Sequence, residues 1–125
     1  MSRTRASAKA AGTRLESLVA GHLAEHIDDR IERRAKTGAA DRGDIGGVRT
    51  AHGHRLVVES KDYGGRIKAA EWTREAHIEA GNDDAIAGIV VAKRRGVIYA
   101  GDQWVLMTVD DLIAILTGTR PDSDQ

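Results

Sequence analysis

Residues 85–92 read Ala-Ile-Ala-Gly-Ile-Val-Val-Ala, a stretch with no charge and no polar side chain. A strand with one wetted face alternates apolar and polar residues. An unbroken apolar run bounded by turn residues instead reads as a central strand covered on both faces. Such a strand needs helices on either side of its sheet, and the rest of the chain supplies them.

A helix is expected over residues 67–80, Ala-rich with a weak apolar period and stopped by Gly81. Another is expected over 13–27. Thr13 followed by Glu16 has the pattern of a capping box, and Leu15, Val19, Leu23 and Ile27 recur at helical spacing. Thr108 with Asp111 opens a last helix whose Val109, Leu112, Ile113 and Leu116 fall at i, i+3, i+4 and i+7. Residues 30–37 read as an edge strand. Residues 44–48 and 55–61 read as a hairpin around Thr50-Ala51-His52-Gly53, and 104–107 as a further short strand. The order α-β-β-β-α-β-β-α describes an α/β domain with a mixed sheet.

A chain of 125 residues fits one domain, expected over residues 13–118. Disordered tails are expected on both sides. Residues 1–12 are basic, with Arg3, Arg5, Lys9 and no acid, and 119–125 hold the sole proline, Pro121. The absence of cysteine excludes a thiol nucleophile, a Cys-type zinc site and a disulfide framework, and fits a reducing compartment. No apolar run reaches the length of a membrane span and no signal peptide opens the chain, so a soluble cytoplasmic protein is expected. The 19 basic and 19 acidic residues cancel, so the total charge does not point at nucleic acid. Most of the basic residues are arginine, whose planar fork suits phosphate, although GC-rich codon usage accounts for most of that bias.

Three acids stand where acids are costly. Glu16 lies within the arc of Val19, Ala20, Leu23 and Ile27, inside the apolar stripe of its helix. It either caps Thr13 at a frayed end or is a carboxylate buried for a purpose. Glu59 and Lys61 sit two apart on a strand, sharing a face with Val57 at a separation of roughly 6.5–7 Å. A lone E-x-K of this kind is most simply a surface ion pair. If Arg49 and His54 close the hairpin, Asp44 falls opposite Glu59, with Cβ atoms about 4.5–5.5 Å apart. Two carboxylates so placed share a proton or bind a cation, and oxygen-only ligands suit Mg²⁺ or Mn²⁺. The same register sets Arg42 opposite Lys61. A carboxylate-held metal beside a lysine is the chemistry of phosphodiester hydrolysis.

Gly43-Asp44-Ile45, followed on the next strand by Val57-Val58-Glu59-Ser60-Lys61, resembles the signature of the PD-(D/E)XK nuclease superfamily. Gly12-Thr13-Arg14-Leu15-Glu16 opens the first helix much as in the Holliday-junction resolvases of that superfamily. Residues 12–116 look similar to small resolvase-like proteins of actinobacterial phages. The resemblance implies a restriction-endonuclease-like αβββαβ core, with Asp44 and Glu59 as Mg²⁺ ligands, Lys61 as catalytic lysine and Glu16 as a further acid. It implies an upstream basic residue, Arg33 or Arg34, on the DNA. Gly43 departs from the motif, standing where the family has proline. Arg42 and the run Lys93-Arg94-Arg95 are further candidates for phosphate contact, the run competing evenly with a solvated turn.

The other polar residues carry less. His22 and His26 are spaced i, i+4 on a helix, a possible metal pair without a third partner, and read as solvent-exposed. His52 and His54 fall in a turn. Ser60 points to the face opposite Glu59 and is no nucleophile. Tyr63 could stack on DNA or simply end its strand. Trp72 and Trp104 read as core or interface anchors. No phosphate-cradling glycine loop is present, so no nucleotide cofactor is expected. The expected activity is a Mg²⁺-dependent, structure-selective endonuclease acting on branched DNA as a homodimer, since two symmetric cuts need two sites. Alternatives are a flap or single-strand nuclease on the same fold, and a non-catalytic DNA-binding module.

Overall fold

The computed structural model describes residues 3–34 and 43–121. The elements follow the expected order. They are α1 (Arg5–His26), β1 (Glu32–Arg33), β2 (Ile45–Gly46), β3 (Leu56–Lys61), α2 (Ala69–Asn82), β4 (Ala87–Ala92), β5 (Trp104–Leu106) and α3 (Val109–Thr117), with a 3₁₀ turn, Ala100–Asp102, before β5. The strands form one sheet in sequence order, antiparallel throughout except for the parallel pair β3/β4. A parallel pair needs a crossover, and α2 is that crossover. Among the described residues no helix is long and apolar enough to cross a membrane.

The apolar run is β4, an interior strand flanked by β3 and β5 and covered on both faces as the sequence requires. Ile89 and Val91 pack with Val58, Ile45, Leu15 and Val19 under α1, while Val90 and Ala92 pack with Trp72 and Ala76 under α2. Gly88 is needed for close approach, because a Cβ there would lie 2.4 Å from the Ala76 carbonyl oxygen.

The basic segment expected to be disordered over residues 1–12 is helical from Arg5. Thr4 is the N-cap, its side chain accepting the Ser7 amide at 3.0 Å. Ala6, Ala8, Ala10 and Ala11 propagate the helix through propensity, which leaves no apolar period to read. Thr13 therefore lies inside the helix and caps nothing. The expected C-terminal tail is also anchored at its start. Arg120 donates 3.0 Å hydrogen bonds to the Ile86 carbonyl and the Asp111 carboxylate.

The expected capping box of Thr108 and Asp111 is present, and Gly118 ends α3 in the left-handed conformation at φ +81°. The apolar stripe of α3 faces outward. Asp111 and Ala114 are buried, whereas Val109, Leu112, Ile113 and Leu116 remain exposed. Asp111 tolerates this position because His77, Arg120 and Thr108 all hydrogen-bond its carboxylate. Burial would raise that carboxyl, but these donors hold it below the usual range.

Candidate active site

The hairpin closes one residue away from the expected position. Arg49 bridges Arg55 rather than His54, and the Thr50 amide donates to the His54 carbonyl. Farther from the turn, Ile45 pairs with Val58. One extra residue on the β2 side, next to Gly47 at φ +89°, absorbs the difference as a bulge. The expected juxtaposition of Asp44 with Glu59 is thereby restored.

Both acids are buried, Asp44 to 3% exposure and Glu59 to 5%. The Asp44 carboxylate accepts the Ser60 amide at 2.9 Å and the Ser60 hydroxyl at 3.2 Å. Its backbone is fixed from both sides, the amide donating to the Val58 carbonyl and the carbonyl accepting the Arg34 amide. Gly43 precedes it at φ +95°, with a Cβ there falling 2.9 Å from a Val57 methyl. A proline, locked near φ −65°, has no access to this conformation, so the departure from the motif is one of backbone geometry.

Glu59 faces α2. Burial first, then hydrogen bonds with Asp44 and Glu79, push its carboxyl up to about 12. The metal-free site therefore disfavours a charge on Glu59. Lys61, on the same face, donates to Glu75 at 2.6 Å. Burial lowers the ammonium, but the bond to Glu75 and the nearby carboxylates outweigh it and hold Lys61 above its ordinary value. Glu75 and Glu79 are the site residues that the sequence reading missed. A signal for them was present. Taking Trp72 as i, they fall at i+3 and i+7, among Ala76 and Ala80 on the inward face of α2.

Asp44, Glu59, Ser60 and Lys61 line a cleft of about 860 Å³, which Glu16 also lines from α1. Glu16 is not a cap. Its carboxylate accepts two hydrogen bonds from Arg33, at 3.0 and 3.2 Å. Arg33 thus reaches the site's border by holding Glu16. Arg34 turns elsewhere and pairs with Asp83 at 3.4 Å. Arg42 lies outside the described residues.

The basic run after β4 divides. Lys93 donates to the carbonyls of Arg94 and Val97, closing its own turn. The Arg94 guanidinium donates to the Asp102 carbonyl and stacks 4.2 Å from the centre of the Trp104 ring. Arg95 alone of the three lines the cleft, together with Arg3, Lys9 and Arg66. Arg3 also pairs with Asp62 at 2.8 Å. Trp72 is core and packs 5.2 Å from Tyr63, whereas Trp104 is half exposed.

Two buried carboxyls, Asp44 and Glu59, border a cleft with cations around it. The donor set is oxygen only, the kind that suits Mg²⁺ or Mn²⁺, and a divalent cation would favour the charged form of Glu59 that burial disfavours. Comparison with protein-family models, curated proteins and solved structures finds no match to the chain.

Proposed function

We propose that the chain is a metal-dependent nuclease with a restriction-endonuclease-like core of the PD-(D/E)XK type. The observation that carries the proposal is the buried Asp44–Glu59 pair, with Lys61 two residues along the same strand face. Asp44 and Glu59 would hold Mg²⁺, with Glu79 beside them and Glu16 on the border of the cleft. Mn²⁺ should substitute. The ion, when bound, lowers the pKa of a water and stabilises charge building on the phosphate. Lys61, kept charged by Glu75, orients the attacking water or neutralises the phosphate oxygens. Arg3, Lys9, Arg66 and Arg95 give the acidic centre a basic border suited to a DNA backbone.

The substrate we favour is a four-way junction, cut by a homodimer. Support for the homodimer comes from exposed apolar side chains, Val109, Leu112, Ile113 and Leu116 on α3 and Trp104 and Val105 on the edge strand β5. That apolar surface fits a second copy of the chain across a twofold axis. The test is cleavage of a labelled junction, flap, single strand and plain duplex of matched sequence, with Mg²⁺ or EDTA. Paired symmetric nicks confined to the junction are expected. Cleavage of flap or single strand instead would keep the active site and discard the substrate, and no metal-dependent cleavage would leave DNA binding as the role.

A further inference from the structure

The C-terminal end of α1 carries a second group of metal-ligating side chains, on a different part of the surface from the acids. His22, Glu25 and His26 fall at i, i+3 and i+4, and one donor atom from each lies within 4.8 Å of the others. Bonds of about 2 Å to one ion bring donors to roughly 3–4 Å of each other, so small side-chain rotations close the set. The two imidazoles already stand with centroids 4.5 Å apart. Glu25, the third partner for the histidine pair, lies on the same helical face.

A second element positions the first ligand. The Tyr99 ring meets His22 edge-on at 5.3 Å. The following turn comes so close that a Cβ on Gly101 would lie 3.2 Å from His22 Nε2. The β4–β5 connection therefore braces one imidazole, which reduces the side-chain freedom that binding must remove. Glu25 and His26 stay exposed, leaving the site open on its outer side.

We propose that His22, Glu25 and His26 bind one divalent transition-metal ion, such as Zn²⁺. Two imidazoles and one carboxylate favour Zn²⁺, Ni²⁺ or Cu²⁺ over Mg²⁺, whereas the Asp44–Glu59 centre offers oxygen alone. The two sites differ in donor chemistry, so different ions fill them. All three ligands come from adjacent turns of one helix, so the bound ion clamps the end of α1.

The test is calorimetric titration of the untagged protein with ZnCl₂ in a non-chelating buffer, beside His22→Ala, His26→Ala and Asp44→Asn. The expected result is one Zn²⁺ per chain, retained in Asp44→Asn and weakened about tenfold or more in each histidine variant. Co²⁺ absorption bands that vanish in His26→Ala would report imidazole ligation directly, and circular dichroism checks that each variant stays folded. Zn²⁺ binding unchanged by the histidine substitutions, lost in Asp44→Asn, or absent from the folded wild type would each overturn the proposal. The outcome is independent of nuclease activity.

Discussion

The Asp44 carboxylate accepts a 2.9 Å hydrogen bond from the backbone amide of Ser60, the residue between Glu59 and Lys61. One acid is thus aimed by the strand that carries the other two site residues. The Ser60 hydroxyl adds a second bond at 3.2 Å. Ser60→Ala removes only the weaker contact, so cleavage should fall by less than about tenfold, the backbone amide being retained. A loss as large as that of Asp44→Asn would show that the hydroxyl takes part in the chemistry.

Glu59 supplies a prediction about stability. Its folded pKa, about 12, is far above the unfolded value near 4.5. The favourable contribution of the protonated carboxyl is complete below about 4.5 and declines as pH rises towards 12. Glu59→Gln keeps the shape, and its amide can donate to both Asp44 and Glu79. In the metal-free state the variant should be more stable than wild type at pH 8, with the gap widening from pH 5 to pH 9. Thermal melts across that range in EDTA check it. Mg²⁺ should raise the melting temperature of wild type and leave Glu59→Gln unmoved.

Lys61 and Glu75 make a prediction about pH dependence. Glu75 holds the ammonium above its ordinary value against the effect of burial. Glu75→Gln should let burial act and move the alkaline limb of the pH–rate profile to lower pH. Lys61→Met should cost at least about 10²-fold in rate at every pH. An unchanged alkaline limb in Glu75→Gln would remove Lys61 as the titrating group.

Gly43 makes a prediction through the backbone. With φ at +95° before Asp44, Gly43→Pro should cost about 1–3 kcal/mol and displace the carboxylate, lowering activity beyond the stability effect. Chemical denaturation paired with cleavage rates separates the two. A stable, active Gly43→Pro would mean that this turn is not held as described.

Much of this architecture was legible from local chemistry. The run ending at Ala92 announced a doubly covered strand, and β4 has α1 residues on one face and α2 residues on the other. Glu59 and Lys61 share a face because strand geometry alone decides that. The Asp44–Glu59 pairing was anticipated through a hairpin closed at Arg49–His54, and the bulge beside Gly47 restores it from a different closure. Residues 5–12 were misread because alanine propensity leaves no periodic trace. The α3 stripe was read as an amphipathic face, yet only the tertiary contacts of Asp111 and Ala114 decide which side turns inward. Glu75 and Glu79 were hidden by an alanine-rich helix whose inward face is marked mainly by Trp72.

The most direct measurement is single-turnover cleavage of a labelled four-way junction by wild type, Asp44→Asn and Glu59→Gln, each verified as folded, in Mg²⁺ and in EDTA. The account predicts Mg²⁺-dependent cutting by wild type, with both variants slower by at least about 10²-fold. Cutting at the wild-type rate by either variant, or cutting that persists in EDTA, would contradict it.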